Sequence, residues 1–400
     1  MLASIISIDL TAPIPAVEVV PPYESLLVLA RIGHVPVALV SIPIPPALGC
    51  ITPKHLHATL VAATRPLLWE QGIERQLQQQ SDPTEWPAIS VVVCTRDRPA
   101  ALAHCLAALK ALDYPNYEVV VVDNASREAS TAEVVAHAGL RYVREDRPGL
   151  DWARNCGAAA AQHDIIAYTD DDVRVDSGWL RGLARAFADP QVDAVTGLVL
   201  PAELDTDAQA LFETYGGMSK GMRPRRFQHE TLRSDQLIGV HALGVGANMA
   251  YRRHVLAHVG GFDTALDVGT PSGGGGDLDM FHRVLVAGFT FHYEPTAMVW
   301  HQHRRDMAGL QRQIENNGRA FGAYLLKIWK QRSAPRHVTA RFAYRWMRHY
   351  LLPQVWRSIK RSHHVPLSLT LGELRGAIDA PRAFRATYLH DHRLRTRTGA

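Results

Sequence analysis

Three adjacent carboxylates, Asp170, Asp171 and Asp172, follow the apolar run in IIAYTDDDVRVDSGWL. Like charges side by side raise one another's proton affinity unless a cation compensates. Carboxylate oxygens are hard ligands suited to a divalent ion such as Mn²⁺ or Mg²⁺. Turn chemistry accounts for one or two of them, because aspartate is favoured in turns and Asp176 or Ser177 can cap the helix that follows. The triplet alone leaves both uses open, so its neighbours must decide.

Other residues of chemical interest lie at similar junctions. Asp123 closes the apolar run VVVV. Its carboxylate can accept from a base imide or from ribose hydroxyls, or else cap the turn through Asn124 and Ser126. Arg154 and Asn155 sit in RPGLDWARNCGAAAA between Gly149 and Gly157. An arginine there can hold a diphosphate by charge-assisted bonds, or lie on a helix surface. HQHRR offers His301 and His303, two imidazoles on one face of a strand end, as metal ligands or as ordinary polar residues. Asp277 begins a helix-like DLDMFHRVLVAG after a glycine run. An acid at that place is stabilised by the helix dipole and can also serve as a base. Asp279, two residues on, faces elsewhere on a helix.

The elements that must position these residues alternate. AISVVVCT is a buried strand, PAALAHCLAALKAL an amphipathic helix, and YEVVVVDNAS a second strand. Helical STAEVVAHAG, a short LRYVRE, a helix through ARNCGAAAA and the strand DIIAYTDDD follow. Strands alternating with helices predict a mostly parallel α/β sheet covered on both faces. Ligands bind at the carboxyl ends of such strands, so CTRDR, VDNAS and TDDD belong on one edge.

The ordered set ISVVVCTRDRP, VVVVDNAS, RPGLDWARNCG and YTDDD resembles the nucleotide-sugar domain of family 2 glycosyltransferases. GVGANMAYRR, GGFD, GGGGDLDMFHRV and AMVWHQHRR extend the likeness over roughly Ala88 to Arg305. The resemblance implies a GT-A fold, a Rossmann-like, mostly parallel sheet sandwiched by helices. It implies inverting sugar transfer from a UDP-, dTDP- or GDP-linked donor to an acceptor hydroxyl of a glycan, a lipid-linked carrier or a small molecule, as in polysaccharide biosynthesis. By position, Asp172 is expected on the divalent cation, Asp170 near the ribose or the metal, and Asp171 is undecided. His301 is expected to join the metal, with His303 the competitor. Thr95, Arg96, Arg98, Asp123, Arg154, Asn155, Asp170, Asp171 and Asn248 are the implied nucleotide- and sugar-binding residues. Asp277 matches the base, while Gly276 occupies the position usually held by an acid before it. The preceding GTPSGGGG is either a loop that orders over substrate or a flexible connection.

Composition sets the frame. The chain has 400 residues, 47% hydrophobic and 20% charged, enough for two or three globular domains. A net charge of only +4 argues against a nucleic-acid binder. The expected division is an N-terminal module and linker (1–87), the glycosyltransferase domain (88–305) and a helical, basic region (306–400). The first module is expected to hold two strands around a glycine turn, SLLVLARIGHVPVALVSI, then a helix capped by Thr52 with Pro53 at its start; QQQSDPTEWP reads as a linker. Between Glu315 and Glu373 no acidic residue occurs, while basic and aromatic residues interleave. Such a segment either contacts an anionic membrane surface or forms a solvated helical face. Cys50, Cys94, Cys105 and Cys156 show no metal or disulfide spacing, and no signal peptide or spanning segment is apparent. The expectation is cytoplasmic, with peripheral contact at the inner face of the membrane. Two other functions remain open: a sugar-nucleotide-binding protein impaired by Gly276, and a nucleotidyltransferase, which CTRDRP disfavours by lacking a glycine-rich basic loop.

Overall fold

The computed structural model describes residues 2–18, 22–44, 50–77, 83, 85–360 and 365–398. Ile89–Thr95 and Ala194–Pro201 are buried along their whole lengths, as strands covered on both faces must be. They belong to a nine-stranded sheet whose main path runs Val173–Val175, Phe291–His301, Ala194–Pro201, Asn248–Arg252, Ile165–Asp170, Ile89–Thr95, Tyr117–Asn124, Arg141–Glu145; Arg225–Phe227 pairs beside Phe291–His301.

The half that carries the first motifs is parallel. Thr95 lies opposite Asp123, and Cys94 opposite Asp170, so the polar strand ends share one edge as expected. Asn248–Arg252 runs antiparallel to Ile165–Asp170. After the aspartates, Val173–Val175 pairs antiparallel with Phe291–His301, placing Val173 opposite His301. That register brings the end of the last strand to the aspartate turn. Helices Pro99–Lys110, Trp179–Phe187 and Leu150–Ala160 cover the faces.

The N-terminal module is a three-stranded sheet of Ala3–Asp9, Ser25–Ile32 and Val35–Pro43 with helix Pro53–Leu77. Gly33, at φ 56°, makes the expected tight turn, and Thr52 Oγ1 accepts from the amide of His55 at the helix start. Alternation assigns the two faces. Leu26, Val28 and Ala30 pack with Leu56 and Leu60, whereas Leu29 packs on Leu198, Leu200, Met298 and Trp300 of the main sheet. The module thus braces the strand that ends in His301. The stretch read as a linker (78–87) lies largely outside the described residues.

Beyond 305 the chain is helical. Met307–Gln331 and Leu367–Thr398 cross closely: a Cβ on Gly376 would stand 2.0 Å from the Glu315 carbonyl oxygen, and one on Gly318 2.2 Å from that of Glu373. Buried Lys327 bridges Asp263 and Asp279, and Thr264 donates to Asp391. These contacts fasten the helices to the segment leading to Asp277. All four cysteines are free. Among the described residues, no helix is long and apolar enough to cross a membrane.

Candidate active site

At the aspartate turn the three carboxylates diverge in use. Asp171 is buried and accepts from Thr95 Oγ1 at 2.7 Å and from Arg98 at 2.6 Å. Burial pushes its carboxyl up, and Arg98 opposes that. Asp171 therefore ties the turn to the first strand. Arg98 also bonds Asp172 at 2.9 Å. Asp170, Asp172 and His301 each present one ligand atom, all within 4.8 Å of one another.

The histidines have distinct jobs. Burial pushes His301 down to about 4, leaving a neutral imidazole at neutral pH. Its Nδ1 lies 3.1 Å from His303 Nδ1, and His303 Nε2 lies 2.8 Å from Glu213. With Glu213 accepting from Nε2 of His303, its Nδ1 can accept from His301 Nδ1, which leaves the lone pair of His301 on Nε2. That atom is 3.4 Å from Asp172. Glu213, on helix Asp207–Tyr215, carries no motif signal in the sequence.

Two carboxylates and a neutral imidazole suit a hard or borderline divalent ion. Burial opposes ionisation of both acids. Asp170 is raised despite Arg154, whereas His301 and Arg98 hold Asp172 below the usual range. A bound cation would compensate the remaining repulsion.

A second group surrounds Arg154. Helix Leu150–Ala160 presses on the sheet because Gly157 permits it: a Cβ there would meet Val92 Cγ1 at 2.3 Å. One turn earlier, the buried guanidinium bonds Asp151 Oδ1 at 2.9 Å and lies 3.8 Å from Asp170 and 3.5 Å from the Gly246 carbonyl oxygen. Burial disfavours its charge, but Asp151, Asp170 and Asp277 together hold it protonated. Asp277 lies in the first turn of helix Gly276–Val286 and accepts from the amides of Gly246 at 3.0 Å and Leu278 at 2.9 Å. Asp279 points away, as expected, into its pairs with Arg283 and Lys327.

The glycine run is packed rather than loose. Gly273, Gly274 and Gly275 take φ of 74°, 142° and 105°, and a Cβ on Gly273 would meet Asn316 at 2.9 Å. Asp267, earlier in that segment, accepts from the Asp151 amide at 2.9 Å.

Four implied residues are engaged elsewhere. Asp123 is almost fully buried and accepts from the Ser126 amide, Tyr142 and Arg144. Asn155 exchanges two bonds with the backbone of Phe262. Asn248 accepts from Trp179 Nε1 and donates to the carbonyls of Leu198 and Ala297. Arg96 is exposed, 4.0 Å from Asp97. Conversely, Asp151, Asp267 and Lys220 join Arg154, Asp170 and Asp277 around one cavity of about 750 Å³. Asp151 was within reach of sequence reasoning, since it stands in GLDWARN.

The far wall of this cavity comes from the C-terminal helices. Phe321, Phe342, Trp346 and Tyr350 line it, beside Arg345 and His349. The interleaved basic and aromatic segment therefore divides: Phe342 and Trp346 turn inward, Tyr350 stands at the cavity's exposed edge, and Tyr344, Trp356 and Ile359 are exposed.

Comparisons with known proteins agree with this geometry. Residues 90–260 match the sequence profile of Glycosyl transferase family 2. The pre-mycofactocin glycosyltransferase of Mycobacterium tuberculosis is 28% identical over 224 residues, covering 55% of this chain and 43% of that protein. The succinoglycan biosynthesis protein ExoM of Rhizobium meliloti is 28% identical over 258 residues, covering 61% of this chain and 77% of ExoM. The chain thus spans less than half the length of the mycobacterial relative. The mannosyltransferase PcManGT of Pyrobaculum calidifontis, solved with GDP-Man and Mn²⁺, superposes with a TM-score of 0.52 at 18% identity, over 81% of this chain and 97% of its own. That likeness identifies the fold as GT-A. Residues 90–260, less than half of this chain, are thus similar to glycosyl transferase family 2.

Proposed function

We propose that this protein is a metal-dependent, inverting glycosyltransferase that moves a sugar from a nucleoside-diphosphate donor to an acceptor hydroxyl. The observation that carries the reading is the convergence on one cavity of Asp170 from the Asp170, Asp172 and His301 cluster, Arg154 and Asp277. The GDP-Man and Mn²⁺ bound to the Pyrobaculum calidifontis neighbour support a nucleotide-sugar donor and a divalent ion.

Asp170, Asp172 and His301 Nε2 would hold the cation, which supplies positive charge against the diphosphate as the glycosidic bond breaks. Arg154, fixed by Asp151, offers the donor's phosphates a second, permanent positive charge. Asp277 takes the proton of the acceptor hydroxyl as its oxygen bonds the anomeric carbon. The electron pair of the broken carbon–oxygen bond leaves with the nucleoside diphosphate. Backbone amides on both oxygens of Asp277 keep it aimed. Phe321, Phe342 and Trp346 suit an acceptor that presents an apolar face, such as a sugar ring or a lipid-linked carrier.

The experiment is a thermal-shift screen of UDP-, dTDP- and GDP-sugars with and without Mn²⁺. One donor is expected to raise the melting temperature in a Mn²⁺-dependent way; no shift with any donor would reject the reading.

The exposed face of 336–360 carries Tyr344, Trp356 and Ile359 among Arg345, Arg348, Arg357 and Lys360, a composition complementary to anionic lipid. Peripheral membrane contact through this face predicts co-sedimentation with phosphatidylglycerol vesicles. Binding that survives glutamine at Arg345, Arg348 and Lys360 would count against it. Arg361, also in the basic run, lies outside the described residues.

A further inference from the structure

Glycine at 276 is not required by its own backbone. Gly273, Gly274 and Gly275 have positive φ, and Gly276 does not. The main obstacle to a side chain is Asp151. A Cβ at 276 would lie 1.7 Å from Asp151 Oδ2, with the Leu266 carbonyl oxygen next at 2.9 Å. The Asp151 carboxyl thus fills the volume into which a side chain at 276 would project.

That carboxyl is costly to keep. Asp151 is fully buried, Oδ1 accepts from Arg154, and Oδ2 has no hydrogen-bond partner. A buried carboxyl oxygen without a hydrogen-bond partner is destabilising, so packing alone gives no reason for it. Its surroundings are those of the site: Arg154 on Oδ1, Asp267 against its amide, and Asp277 one residue beyond the glycine it displaces.

We propose that Asp151 supplies, from helix Leu150–Ala160, the second carboxylate that position 276 lacks, acting as a positioning residue for Arg154 and Asp277. This rests on the glycosyl-transfer reading. Arg154 is shared: one nitrogen is held by Asp151, and the other lies between Asp170 and the Gly246 carbonyl, whose amide holds Asp277. Asp151 keeps the guanidinium on the diphosphate side of the cavity. Without it, Arg154 is free to pair fully with Asp277 and weaken it as a base.

The arrangement predicts that the carboxylate can be moved but not deleted. Four variants test this: Asp151→Asn, Asp151→Ser, Asp151→Ser with Gly276→Asp, and Asp151→Ser with Gly276→Ser. The readout is Mn²⁺-dependent nucleoside diphosphate release from a panel of UDP-glucose, UDP-N-acetylglucosamine, dTDP-rhamnose and GDP-mannose, alongside the melting temperature. Asp151→Asn and Asp151→Ser are expected to lower kcat by about 10- to 100-fold, with donor KM changed less than about threefold. Adding Gly276→Asp to Asp151→Ser should recover most of kcat, and adding Gly276→Ser should not. Wild-type kcat in Asp151→Asn, or equal recovery by Asp and Ser at 276, would overturn the proposal. Asp151→Asn keeps the side-chain shape, so it decides the matter even if the double variants fail to fold. A wild-type chain inert toward the whole panel would instead remove the glycosyl-transfer reading, and this role with it.

Discussion

His301 and Asp277 show how single residues acquire a function from partners distant in sequence. His301 is buried and neutral, and its free lone pair is set by a chain of bonds through His303 to Glu213, some 90 residues earlier. Glu213→Gln leaves His303 without its charged acceptor and frees the ring to turn. The expected result is Mn²⁺ affinity lowered by about 10- to 100-fold, read by titration calorimetry. Unchanged affinity would mean that His301 does not depend on this chain. Asp170, Asp172 and His301 stood out as candidates because polar residues closing an apolar strand are a local pattern, and Asp277 because it opens a helix after a glycine run. The sequence did not make Asp151 legible as a neighbour of Gly276, since that contact spans more than a hundred residues. Asn155 and Asn248 show what local pattern leaves out: the amide of Asn155 bonds the Phe262 backbone, and that of Asn248 bonds the Trp179 indole and the carbonyls of Leu198 and Ala297.

Elements place these residues through close packing. Helix Leu150–Ala160 can carry Asp151 and Arg154 to the strand ends only if it lies hard against Val92 and Val122, and Gly157 makes that approach. Gly157→Ala gains about 1 kcal/mol of helix propensity. It also forces a methyl to within 2.3 Å of Val92, and overpacking of this kind costs about 1–3 kcal/mol. We expect a net loss of stability in denaturant melts, together with weaker donor binding; a more stable variant would contradict the described packing. The strands and helices of 88–172 were readable from alternation and apolar runs. The pairing of Val173–Val175 with Phe291–His301 was not, because a three-residue antiparallel strand at the end of the sheet leaves no local signature.

Across the whole molecule, three parts share one site. The N-terminal sheet buttresses the strand that ends in His301 through Leu29, Met298 and Trp300. The central sheet supplies the aspartates and Arg154. The C-terminal helices wall the cavity and pin the segment before Asp277 through Lys327. The parts were separable by composition, but their convergence depends on tertiary contacts such as Leu29 on Trp300 that composition does not encode. At this convergence Asp277 is the proposed base for sugar transfer. The most direct measurement compares Mn²⁺-dependent release of nucleoside diphosphate by the wild type and by Asp277→Asn, using the donor that stabilises the protein and with its affinity measured in both. Turnover in the variant is expected to be about 10²- to 10⁴-fold lower, with donor affinity retained. Equal turnover in the two proteins, or an inert wild type that still binds donor, would contradict that role.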